Sequence, residues 1–336
     1  MRRALLWLRR TGIGLAGAVI VSVPAGILLW QDRNSIEDID LRTAEAVEAG
    51  AGAVTVTWLG VTTLLFDDGE TQILIDGFFS RPDILDLIFL RPIVSDAANI
   101  NYALDTFRMR RLAAVIPVHS HYDHAMDVGA IANRSSASVV GTESTANIAR
   151  GADVPADQII LATNGDTLQF GKFTVTLITS RHVPNGFGDS HLLAGFMSEP
   201  LRQPATFTAW REGGSWSILI GHPNGTTLVQ GSAGFIEDAL AEKKVDVVML
   251  GVAGLNRQSL IYAMDYWQQV IGQTGAKRVY VIHHDDITQP FGQIKLFPNV
   301  LDNVAAIVPL LKEFAGAGEE QIEIRLPPFG EPIVLY

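Results

Sequence analysis

The chain has 336 residues, with 25 Lys and Arg against 36 Asp and Glu, 8 His and no Cys, for a formal net charge of −11. Hydrophobic residues make up 48% and charged residues 18%, enough apolar material for a packed core rather than a disordered chain. An acidic balance without a basic block argues against nucleic acid as a partner, and the lack of Cys excludes a disulfide framework, a thiolate metal site and a Cys nucleophile.

Arg2, Arg3, Arg9 and Arg10 precede an uncharged run from Thr11 to Trp30, about the length a helix needs to cross the roughly 30 Å hydrocarbon layer. Residues 1–30 read as a signal anchor or signal peptide, with the arginines on the cytoplasmic side. The remainder is then expected at the inner membrane, facing the periplasm or cell exterior. It would be released to the periplasm if cleavage occurs near Val23-Pro24-Ala25. The apolar run continues through Ile27 to Trp30, which favours an uncleaved anchor. Residues 31–53 are polar, acidic and Ala/Gly-rich and suit a linker, so the folded domain is expected over 54–336.

Strand patterns follow at Val54–Trp58, Thr63–Phe66, Ile73–Asp76, Ala114–Val118, Ser138–Gly141, Lys172–Ser180, Trp216–Gly221, Thr226–Gln230, Asp246–Gly251, Arg278–His283 and Gln321–Leu326. Helical patterns fall at Tyr102–Arg111, Asp123–Asn133, Glu143–Arg150, Ile236–Lys243, Gln258–Thr274 and Val300–Phe314. The order is a mixed α/β one. No phosphate-binding GxxxxGK[ST] loop and no GxSxG nucleophile elbow occurs.

The densest chemistry is His119-Ser120-His121-Tyr122-Asp123-His124, placed where the strand Ala114–Val118 ends. Alternate residues of an extended segment point the same way, so His119 and His121 can face one cation while Asp123 and His124, opening the next helix, face a second. Imidazole nitrogen and carboxylate oxygen suit Zn²⁺, with Mn²⁺ or Fe²⁺ as alternatives, and three protein ligands leave a position open for water.

This H-x-H-x-D-H register resembles that of the metallo-β-lactamase superfamily, over roughly Val54 to the C-terminus. The likeness is closest to the branch holding the ascorbate-phosphate lactonases and the N-acyl phosphatidylethanolamine phospholipase D enzymes. Trp58-Leu59-Gly60 and Ile73-Leu74-Ile75-Asp76-Gly77 add to the resemblance, as do the later histidines in the expected order. It implies a four-layer αββα sandwich and one or two metals. His119, His121 and His182 would hold the first, and Asp123, His124 and His283 the second. Asp76 would orient a liganding His rather than bind metal. The family's bridging Asp aligns with Ser232, and a neutral hydroxyl offsets little of the repulsion between two cations, so the second site is expected to be weakened. Asp285 or Asp286 could supply the missing charge, though loop or helix-start roles suit them better.

The implied activity is hydrolysis of a phosphodiester or lactone-type bond by metal-activated water, with Asp123 as the catalytic carboxylate. The alternative is a non-catalytic binding or scaffold member, argued from Ser232. Tyr122 and His284, beside ligands, are candidates for contacting substrate, while His191 and His222 are expected in loops or at the surface. The apolar stretch from Phe78 to Ile93 reads as a helix with a core face, or else as a lipid-facing wall, and Arg181–Ala209 as a long loop over the site. The expected partners are a small-molecule or lipid-like substrate and the membrane.

Overall fold

The computed structural model describes residues 26, 28–47, 50, 52–185, 193–318 and 321–336. Its strands are β1 (Thr55–Trp58), β2 (Leu64–Asp67), β3 (Gln72–Ile75), β4 (Pro92–Ile93), β5 (Leu112–Ile116), β6 (Ser138–Gly141), β7 (Ile159–Leu161), β8 (Thr167–Phe170), β9 (Phe173–Ser180), β10 (Ala205–Thr206), β11 (Ser215–His222), β12 (Gly225–Gln230), β13 (Val247–Gly251), β14 (Arg278–Ile282), β15 (Glu323–Arg325) and β16 (Pro332–Val334). Two seven-stranded sheets run β16-β1-β2-β3-β5-β6-β7 and β15-β14-β13-β12-β11-β9-β8, and β4 pairs with β10 in a short ribbon. Each large sheet is half antiparallel meander and half parallel. The parallel half begins at β3–β5 in the first sheet and at β12–β13 in the second.

Period-2 alternation sorts the side chains into layers. Val247 and Met249 of β13 join Ile73, Ile116, Ile218 and Ile282 between the sheets, while Val248 and Leu250 face the helices Leu260–Trp267 and Val304–Gly316. On the outside of the first sheet, Leu74 and Val115 pack against the helices Ala97–Thr106, Val128–Ser135 and Glu143–Gly151. The result is the αββα layering. Parallel neighbours need long crossovers, so the loops leaving the carboxyl ends of β3, β5, β12 and β14 carry residues of interest, and His182 follows β9, whose neighbours β8 and β11 are antiparallel.

All eleven expected strands are present, with ends shifted by a few residues. The helices depart more. Asp96 caps the helix after β4 by accepting from Ala98 and Asn99, and Arg108 at φ 51° ends it, so it spans Ala97–Thr106 rather than Tyr102–Arg111. The stretch expected as one helix over Asp123–Asn133 is two, Tyr122–Ala125 and Val128–Ser135. At their junction the Asp127 carboxylate accepts from the Phe79 and Ser80 amides. Residues 236–243 form turns instead of a helix, with Asp238 left-handed and its amide and carboxylate held by Gln269 and Gln273.

Residues 31–47 lie against the domain rather than forming a free linker. Arg33 pairs with Asp286 at 2.9 Å, Ile39 and Ala44 are buried, and the Ala44 amide bonds to Leu326. The run Thr11–Trp30 lies outside the described residues up to residue 25. Among the described residues no helix is long and apolar enough to cross a membrane. In the apolar stretch after Asp76, Phe78 and Phe79 are core. The short helix Ile84–Ile88 buries nothing, and Leu85, Ile88, Phe89 and Leu90 are exposed.

Candidate metal centre

Two groups of three ligating side chains converge at the carboxyl ends of the strands. His119, His121 and His182 form one, and Asp123, His124 and His283 the other, with the donor atoms of each group within 4.8 Å of one another. The groups adjoin: the rings of His119 and His124 are 4.0 Å apart, and Asp123 Oδ2 lies 3.4 Å from His124 Nε2 and 3.8 Å from His283 Nε2. Local backbone explains the placement. β5 ends at Ile116, the extended segment beyond it turns His119 and His121 the same way, and His121 starts the one-turn helix carrying Asp123 and His124.

Hydrogen bonds decide which ring nitrogens face inward. His182 Nδ1 lies 2.7 Å from its neighbour's carbonyl, Val183 O, which leaves Nε2 for a cation. His124 Nδ1 donates to Asp76 Oδ2 at 2.7 Å, again leaving Nε2. Asp76 is fully buried and left-handed at φ 58°. Its other oxygen accepts from the Val118 amide at 2.8 Å, and Thr62 Oγ1 donates to the oxygen shared with His124. Thr62 was not visible as a site residue in the sequence, since nothing marks a lone Thr in a hairpin as the partner of a His 62 positions away.

The electrostatics suit cation binding. Burial, reinforced by the neighbouring imidazoles, pushes His119 well below the ordinary histidine range. Burial likewise brings His121 and His283 down to about 4, so the lone pairs are available at neutral pH. Burial would raise the Asp123 carboxyl, but His124, His283 and His121 outweigh it and hold it below its usual value. Three imidazoles in one group, and two imidazoles with a carboxylate in the other, are a donor set that divalent cations fit.

Ser232, at the position aligned with the bridging carboxylate, is already engaged: its hydroxyl accepts from the Val183 amide at 2.9 Å. The two loops cross so closely that a Cβ on Gly234 would stand 2.1 Å from Arg181 O. Ser232 therefore braces the loop that carries His182. Asp285 and Asp286 do not turn to the ligands either. Asp285 accepts from the Val61 amide at 2.7 Å and pairs with buried Arg81 at 3.2 Å, while Asp286 holds Arg33, Thr288 and Gln289. Asp285 still matters indirectly, because the Val61 carbonyl accepts the amide of His283, which is left-handed at φ 55°.

A cleft of about 560 Å³ opens over the ligands, lined by Tyr122 and Ser232 and by apolar Val183, Leu193, Phe207, Ile287, Phe297 and Leu301. Described parts of the expected loop Arg181–Ala209 thus form one wall. His284 does not line it. Its ring packs 4.7 Å from Trp58 and is buried, so substrate contact is replaced by a packing role. His222, expected at the surface, is a buried side chain 3.6 Å from Asp68, on the far end of β11. His191 lies outside the described residues. The exposed residues Leu85 to Leu90 do not border the cleft among the described residues.

The αββα sandwich, the order of the candidate ligands and their two paired groups agree with what the resemblance to the metallo-β-lactamase superfamily implies. No family model matches the chain. Among curated proteins, a UPF0173 metal-dependent hydrolase from Anaeromyxobacter sp. (strain K) is 26% identical over 187 residues. The match covers 54% of this chain, which spans 60% of the length of that relative. Among solved structures, an isothiocyanate hydrolase from Delia radicum gut bacteria gives a TM-score of 0.50 at 16% identity, over 83% of this chain and 98% of the other. CmlA, a diiron β-hydroxylase from Streptomyces venezuelae, also gives 0.50, at 14% identity over 86% of this chain and 55% of its own. At these identities the likeness is one of fold.

Proposed function

We propose that the protein is a metal-dependent hydrolase acting on a phosphodiester or lactone-type bond, held at a membrane by its N-terminal segment. The observation that carries the reading is the pair of three-ligand groups side by side under one largely apolar cleft. A bound Zn²⁺, Mn²⁺ or Fe²⁺ would supply Lewis acidity and water of lowered pKa.

The residues of the chain do the rest. His119, His121 and His182 would hold the first cation, and Asp123, His124 and His283 the second. Asp76 and the Val183 carbonyl keep His124 and His182 in the ligating tautomer. Asp123, ionised at neutral pH and open to the cleft, accepts the proton of an attacking water when the second group is empty, and serves as a ligand when it is filled. The apolar walls exclude competing water and favour a substrate with a hydrocarbon portion.

The test is elemental analysis of the chain purified without chelator, followed by turnover on phosphodiester and lactone substrates for wild type and His121→Ala. Bound metal with hydrolysis, both lost in His121→Ala, supports the reading. Metal-free protein, or full activity in His121→Ala, overturns it in favour of a binding protein built on the same fold.

A further inference from the structure

Part of the cleft wall is built from elements that carry none of the six ligands: the turn after β13, with Gly254 and Arg257, and the segment before the last helix, with Phe297, Leu301 and Asp302. Asp302 is 7% exposed. One of its oxygens accepts from the Gly254 amide at 2.7 Å, and the other, Oδ1, is buried with no partner among the described residues. A buried carboxylate oxygen without a donor is costly, and a site retaining one is set up to receive a donor from outside. Arg257 lines the same cleft as Asp302, and it is exposed and its guanidinium makes no ion pair or hydrogen bond among the described residues. It is the one Lys or Arg among the described residues lining the cleft. An unpaired guanidinium beside an apolar wall is a ready contact for a planar anion.

We propose that Arg257 and Asp302 form a recognition point for the substrate's head group: a carboxylate or phosphate that engages Arg257 and carries a neighbouring O–H or N–H donated to Asp302 Oδ1. The apolar part of the same molecule lies against Leu301, Phe297 and Ile287. Burial brings the Asp302 carboxyl up to about 6, which still leaves it mainly ionised, and so an acceptor, at pH 7. The inference rests on the hydrolase reading for its meaning, since it names the class of molecule presented to the metal ligands.

The test is calorimetric binding to the metal-loaded full chain of three probes that share an apolar chain: 2-hydroxyoctanoate, octanoate and 1,2-octanediol. 2-Hydroxyoctanoate is expected to bind roughly tenfold or more tightly than either of the others, the strength of a charge-assisted hydrogen bond. Arg257→Gln should weaken both carboxylates and leave the diol unchanged. Asp302→Ala should equalise 2-hydroxyoctanoate and octanoate. Arg257 is exposed and unpaired, so its replacement reads out even if Asp302→Ala unfolds. Equal affinities overturn the proposal. So does 2-hydroxyoctanoate binding that chelator abolishes and Arg257→Gln does not touch, which would be chelation at the metal alone. Binding with the expected pattern in a protein that turns nothing over would sink the hydrolase reading and leave this head-group site standing.

Discussion

Asp76→Asn separates the metal centre from the fold that supports it. The left-handed backbone at φ 58° is one that Asn tolerates, so the substitution changes hydrogen bonding and little else. The carboxylate accepts three donors, from Val118 N, His124 Nδ1 and Thr62 Oγ1, and an amide can accept on one side only. If the amide nitrogen faces His124, the imidazole is driven to the other tautomer, with its proton on Nε2, the atom that faces Asp123. That atom is then no longer a ligand. If it faces Val118 instead, a buried N–H loses its acceptor, at a cost of about 1–3 kcal/mol. Loss of such a supporting contact typically lowers metal affinity by roughly 10–100-fold. Competitive metal titration should therefore show a weakened second site and a nearly unchanged first one, with the denaturation midpoint of the metal-free protein lowered modestly. A second-site affinity within about twofold of wild type would refute the tautomer argument.

Three further outcomes follow from the same geometry. Ser232→Ala leaves the Val183 amide unpaired beside His182, so it should cost about 1–3 kcal/mol in chemical denaturation and weaken the first site. Unchanged stability would show that the hydroxyl is not a brace. Arg81→Leu strands the Asp285 carboxylate, which is buried and reaches His283 through Val61, and should destabilise by about 3–5 kcal/mol, measured by urea unfolding. In metal-free protein, His121 and His283 titrate near 4, below the unfolded value of 6.5. The unfolded chain therefore binds more protons in that window, and stability falls as pH drops from 6.5 toward 4, by up to about 1.4 kcal/mol per pH unit for each. Asp302, raised to about 6, acts oppositely, favouring the fold as pH falls through that value, so Asp302→Asn should steepen the loss seen in pH-dependent denaturation.

The grouping of His119, His121, Asp123 and His124 was legible in the sequence because their geometry is local: an extended segment sets the first two on one side and a helix start presents the next two. The strands were legible for a similar reason, since period-2 apolar patterning reports a face buried between sheets whatever lies opposite. Helix limits were less so, because Asp127 and Asp238 spend their side chains or amides on groups far along the chain rather than on the local helix. The partnerships that tune the site lie further still from local reach. Thr62 meets Asp76 and His124, Val61 meets Asp285 across 224 positions, and Ser232 meets the loop of His182. Each depends on how two sheets pack and bring their strand ends together. A hydroxyl or carboxylate has the same local pattern whether it binds a cation or a backbone amide, and the choice is made by whichever group the tertiary fold places within hydrogen-bonding distance.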